Sequence, residues 1–158
     1  MAGNEPNVSG LVYIAAYAPD EGESIKELKS KFAAGAGGAH VQPDDQGYVW
    51  IERSAFPECF AGDVDPEEAR VMAAVQMPWK VPANKISNPA WRSRPSWYQV
   101  SERDLMINPE LQHFMAKRIG AKTISLDASH ASAVSCPREI ADLIMDAANS
   151  AALKVSAA

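Results

Sequence analysis

Cysteine is scarce in this chain of 158 residues: Cys59 and Cys136 stand alone and far apart. Neither has the short spacing to a second Cys or His that a metal site requires, and His40, His113 and His130 do not gather around them. No metal and no cofactor are therefore expected, and the two thiols read as reduced, as in a cytoplasmic protein. Long apolar runs are lacking as well. The longest, Leu11 to Ala18, is far short of the roughly 20 residues that span a bilayer. The start, Met1-Ala2-Gly3-Asn4-Glu5-Pro6, has neither the basic end nor the apolar core of a signal peptide. A formal net charge of −5 leaves no basic footprint for nucleic acid. The length suits one domain with a core of ordinary size.

What is present reads as part of an α/β pattern. Leu11-Val12-Tyr13-Ile14-Ala15-Ala16 is a nearly continuous apolar run rich in β-formers, which suits a strand covered on both faces in a parallel sheet. Pro19-Asp20-Glu21-Gly22 ends it, and Ser24 to Glu27 forms a capping box for a short helix whose apolar face is Ile25, Leu28 and Phe32. Residues 33–39 are small and Gly-rich and predict a mobile loop. Tyr48 to Ile51 predicts a short strand after a turn, and Asp65-Pro66 opens a helix that must stop by Pro78. Pro82, Pro89 and Pro95 then keep the chain irregular. Residues 19–95 thus form an insertion of short pieces. Regular alternation resumes with a strand at 96–100, a helix from Asn108-Pro109 burying Leu111, Phe114, Met115 and Ile119, a strand at 123–126, and a last helix from Pro137 burying Ile140, Leu143, Ile144 and Ala147.

In open α/β sheets, functional residues gather beyond the carboxyl ends of strands. Two titratable residues stand there, Asp104 after the strand at 96–100 and His130 after the strand at 123–126. Adjacent parallel strands would set both loops on one edge, where a carboxylate can fix the tautomer of an imidazole acting as a base. Read from the residues alone, the plainer assignment is Asp104 as a turn residue ahead of a helix and His130 as a hydrogen-bonded loop residue.

The stretch from Ser96 to Pro109 resembles the acid-bearing segment of the α/β-hydrolases, in which an acid is followed by an apolar residue, a proline and a helix. Asp127-Ala128-Ser129-His130-Ala131-Ser132-Ala133-Val134-Ser135-Cys136-Pro137 is similar to their histidine loop and final helix. Leu11 to Ala18 with Pro19-Asp20 resembles the strand that leads into the lid in the esterase branch containing plant methyl esterases and hydroxynitrile lyases. The resemblance implies the C-terminal half of an α/β-hydrolase fold with a lid at about 19–95. It implies Asp104 as the acid and His130 as the base of a serine esterase acting on small apolar carboxylic esters. The aromatics of the insertion, Tyr48, Trp50, Phe56, Phe60, Trp79 and Trp91, read mostly as its small core, with Trp79 and Tyr17 assigned to substrate.

One family feature is lacking: no Gly-x-Ser-x-Gly elbow occurs in the sequence. Ser9 precedes a strand, Ser24 caps a helix, and Ser129 and Ser132 lie in a loop. The expectation is a truncated chain, inactive alone, that begins within the helix following the missing elbow. Its exposed strand at 11–16 would then seek a missing N-terminal fragment or a second copy, giving an oligomer. A non-catalytic binding module and a lyase using the same histidine are the alternatives.

Overall fold

The computed structural model describes residues 2–155. Strand β1 is Leu11–Ile14. It is shorter than the predicted 11–16, because Ala15 adopts φ +41 and turns the chain out of the sheet while its amide still reaches the Gln99 carbonyl. Helix α1, Ile25–Lys29, has the full capping box between Ser24 and Glu27. Strands β2, Val41–Pro43, and β3, Val49–Ile51, pair antiparallel as a small separate sheet. Helices α2, Phe56–Ala61, and α3, Pro66–Val75, follow, the second capped by Asp65. Then come β4, Ser96–Ser101, α4, Pro109–Arg118, β5, Lys122–Leu126, α5, Ser132–Ser135, and α6, Pro137–Val155.

The main sheet has the order β1-β4-β5 and is parallel throughout. Every residue of β4 is buried. On one face Tyr98 and Val100 pack with Leu28, Ile107, Leu111, Met115 and Ile119 under α4. On the other, Trp97 packs with Leu143 and Ala147 of α6, and its indole N–H donates to Asp146 at 2.5 Å. A strand with helices on both faces has no solvent side, which is why its sequence lacks a polar alternation. The outer edge of β1 pairs with no strand among the described residues. No helix among them is long and apolar enough to cross a membrane.

Two predicted helix faces are narrower than expected. Phe114 and Ile144 are exposed, since each lies on the rim of its helix's apolar stripe. Gly120, at φ +63, ends α4 in the left-handed conformation that suits glycine.

The segment 33–39, expected to be a mobile loop, is instead packed. Ala36–His40 forms a short 3-10 turn, and the Gly37 amide donates to the Leu105 carbonyl at 2.8 Å. The small residues permit this approach: a Cβ on Gly35 would sit 2.3 Å from that same carbonyl oxygen. At Gly38 a Cβ would meet nothing within 4 Å. Gly35→Ala should therefore destabilise the protein by about 1–3 kcal/mol, because backbone must move. Gly38→Ala should stay within about 0.5 kcal/mol. Thermal unfolding of the two variants side by side checks this, with equal melting temperatures as the contrary result.

Candidate active site

The parallel register brings the chain after β4 and the chain after β5 to one edge of the sheet. Asp104 is fixed there by its own turn: Oδ1 accepts from the Met106 amide at 2.7 Å and the Ile107 amide at 3.0 Å. Its Oδ2 accepts from Gln112 Nε2 at 2.7 Å and lies 2.7 Å from His130 Nδ1. The Asp104 side chain has no exposed surface, whereas that of His130 is 21% exposed. With three other donors on this carboxylate, His130 Nδ1 is the fourth, which leaves Nε2 with the lone pair. The structure thus brings together the two residues singled out after the strands.

Gln112 is itself held by further bonds. Fully buried, it accepts from the Ser101 amide at 3.0 Å and also donates to the Ile107 carbonyl at 2.9 Å. The end of β4, the Asp104 turn and the first turns of α4 are joined through this one amide. Sequence reasoning missed it, although a glutamine between Leu111 and Met115 on a buried helix face was a signal. Below it, Ser132 Oγ donates to Gln99 Oε1 at 2.8 Å, and Gln99 Nε2 donates to Ser101 Oγ at 3.1 Å.

The loop bearing His130 hangs on the segment between β1 and β4. The Ala131 amide donates to the Phe60 carbonyl at 2.9 Å, as does Ser129 Oγ at 3.1 Å. The Ser129 amide donates to Asp63 Oδ2 at 3.0 Å. The Phe60 ring meets the imidazole edge-on with centroids 4.7 Å apart. Ala131 and Met106 pack into the core of the insertion with Ile51, Phe56, Ala61, Ala69 and Ala73.

A cleft of about 480 Å³ opens beside His130. Ala15 and Ala16 at the end of β1, Tyr17, Ile25, Val41, Val49, Ile51, Phe60, Trp79 and Met106 help to line it. Tyr17 and Trp79, the two side chains assigned to substrate, both border this cleft. Trp79 is held by its main chain, which pairs with Val49 at 2.8 and 2.9 Å beside β3. No serine or cysteine is among the lining residues. Among the described residues, no three His, Cys, Asp or Glu side chains gather as metal ligands do.

The profile of the alpha/beta hydrolase family matches residues 1–143. Among solved structures, a variant of the pyrethroid hydrolase PytH superposes with a TM-score of 0.75 at 23% identity, over 96% of this chain and 65% of its own. Polyneuridine aldehyde esterase gives 0.71 at 16% identity, over 91% of this chain and 64% of its own. A methylesterase from Arabidopsis gives 0.62 at 17%, over 90% and 59%. The chain spans roughly three fifths of the length of these structures. No curated protein matches the sequence.

Burial, and then the negative Asp104 nearby, push the Tyr17 phenol up to about 12. Below about pH 10, folded and unfolded chains both keep this proton. Between about 10 and 12 the unfolded chain releases it while the folded chain holds it, so stability falls as pH rises through that window. Denaturant unfolding across the window should show this loss, and Tyr17→Phe should reduce its slope. An unchanged slope would mean that the phenol ionises as freely in the folded protein as in water.

Proposed function

The chain belongs to the alpha/beta hydrolase family, and from that premise we propose that it supplies the acid and base of a serine esterase acting on small, largely apolar carboxylic esters. The observation that carries the proposal is the 2.7 Å contact between His130 Nδ1 and the buried Asp104 carboxylate, at the head of an apolar cleft. Esterase and hydrolase activities in the names of the structurally similar proteins support the choice of reaction.

In this reading, a serine hydroxyl attacks the ester carbonyl while His130 Nε2 takes its proton. The same nitrogen returns that proton to the departing alcohol, and water then releases the acyl group by the reverse sequence. Asp104 keeps the imidazole oriented and stabilises its positive charge. Tyr17 and Trp79 contact the acyl or alcohol part, and the segment 19–95 covers the cleft as a fixed lid.

In this reading the serine comes from outside residues 1–158, at the end of a strand that pairs with the edge of β1 that no described strand covers. Two features support this: no Gly-x-Ser-x-Gly elbow occurs in the sequence, and the edge flanked by Leu11, Val12 and Ile14 carries no lysine or proline to block pairing.

Residues 1–158 alone should neither turn over short aryl esters nor be labelled on serine by a fluorophosphonate. Within a polypeptide or complex that contains the nucleophile, His130→Ala and Asp104→Ala should each lower kcat/KM by roughly 10³- to 10⁶-fold. Labelling of a serine within 1–158, or His130→Ala with full activity, would overturn the assignment. Light scattering tests the edge: we expect residues 1–158 alone to self-associate through β1 and Ile14→Lys to reduce it. A monomer indifferent to that change would mean that another part of the chain covers the strand.

A further inference from the structure

The cleft beside His130 is lined by a lysine and by no acid, although the chain as a whole is acidic. The protein carries a formal net charge of −5, yet no Asp or Glu lines the cleft, whose chargeable walls include Lys29 and His130. Lys29 lies one turn beyond Ile25 in α1, so the two side chains share a helix face, and both border the cleft. Neighbouring charges are answered locally: Lys31 meets Glu23 at 2.5 Å, and Glu27 meets Lys85 at 3.0 Å. Lys29 forms no ion pair among the described residues, and Asp104, behind His130, has both oxygens engaged by other donors. The Tyr17 phenol, held up at about 12, remains a neutral donor in the same space.

A cleft with apolar walls and one unanswered ammonium discriminates by charge. It offers a neutral ligand only burial, adds attraction for an anion, and repels a cation. We propose that the ester bound here carries a carboxylate on its apolar body, away from the scissile bond, and that Lys29 holds it. This inference rests on the esterase reading for the word ester and on the cleft alone for the charge. Because Lys29 is exposed at the rim, its effect is limited and sensitive to salt.

The test uses phenylbutyrate and its neutral amide, phenylbutyramide, titrated into the isotope-labelled protein at low ionic strength and followed by NMR. Both should shift the His130 imidazole and Trp79 indole signals, and the carboxylate should bind about three- to fivefold more tightly. Lys29→Gln should abolish that preference while leaving the amide's affinity unchanged. Equal affinities, a preference that survives in Lys29→Gln, or binding that moves neither His130 nor Trp79 would each overturn the inference. Neither probe is an ester, so the result does not depend on a nucleophile. If His130→Ala lowers esterase activity in the polypeptide or complex that contains the nucleophile but the carboxylate shows no preference, this inference alone is lost. If the carboxylate is preferred but His130→Ala leaves that esterase activity intact, the esterase reading is lost and a carboxylate site at Lys29 remains.

Discussion

A carboxylate with no exposed surface must have its oxygens answered by donors, and the architecture around this sheet edge follows from how Asp104 meets that demand. The Met106 and Ile107 amides close the turn after β4, which sets where α4 begins. Gln112 reaches back from α4, and His130 reaches across from the neighbouring loop. Each donor is also held elsewhere, Gln112 by Ser101 and Ile107, and His130 by the packing of Phe60 against its ring. Loss of any one would leave a buried charge partly uncompensated, which costs more than the bond itself contributes. The same arrangement that stabilises the turn orients an imidazole at the surface of a cleft, so fold and chemistry share one constraint.

The inserted segment is tied to this constraint from the other side. The Phe60 carbonyl accepts two bonds from the histidine loop, Asp63 accepts a third, and Gly37 donates to the loop that follows Asp104. These links join the Asp104 and His130 loops to the short elements between β1 and β4, whose own core takes in Ala131 and Met106. A segment held this way cannot swing as one rigid flap without disturbing His130. Movement confined to the exposed side chains of Met77, Trp79 and Val81 leaves these anchors in place.

The strands and the place of the residues at their ends were legible in the sequence because period and composition are local. A run such as Leu11–Ile14 or Ser96–Ser101 announces a strand covered on both faces, and the turn residues after it announce an edge where Asp104 and His130 must emerge. Less was legible where the structure depends on long-range packing. Nothing local distinguishes Phe114 at the rim of a stripe from Met115 at its centre. The Gly-rich stretch 33–39 reads as a flexible loop, yet its lack of side chains is what lets it lie against Leu105. Phe60 gives no sign that its carbonyl, more than its ring, supports the histidine loop. Gln112 lay between these cases: its type contradicts its helical face, and that contradiction marks a buried polar partner.

The geometry of β1 bears on the proposed reaction. Its inner side pairs with β4, from Leu11 opposite Ser96 to Ile14 opposite Gln99. Beyond Ile14 the chain turns out at Ala15, and Ala15 and Ala16 form part of the wall of the cleft that holds His130. A strand added in parallel to the outer side of β1 would therefore end beside those two alanines. Residues just past its carboxyl end would enter the cleft from the wall next to the histidine. That is where a nucleophile must stand to pass its proton to Nε2, since Nδ1 is taken by Asp104. The small side chains at Ala15 and Ala16 leave space for such an approach, which bulkier residues would fill. One segment could thus satisfy the backbone groups of the open edge and complete the catalytic set. These two needs arise independently, one from hydrogen bonding and one from acyl transfer, and under the proposed esterase reading they converge on the end of β1.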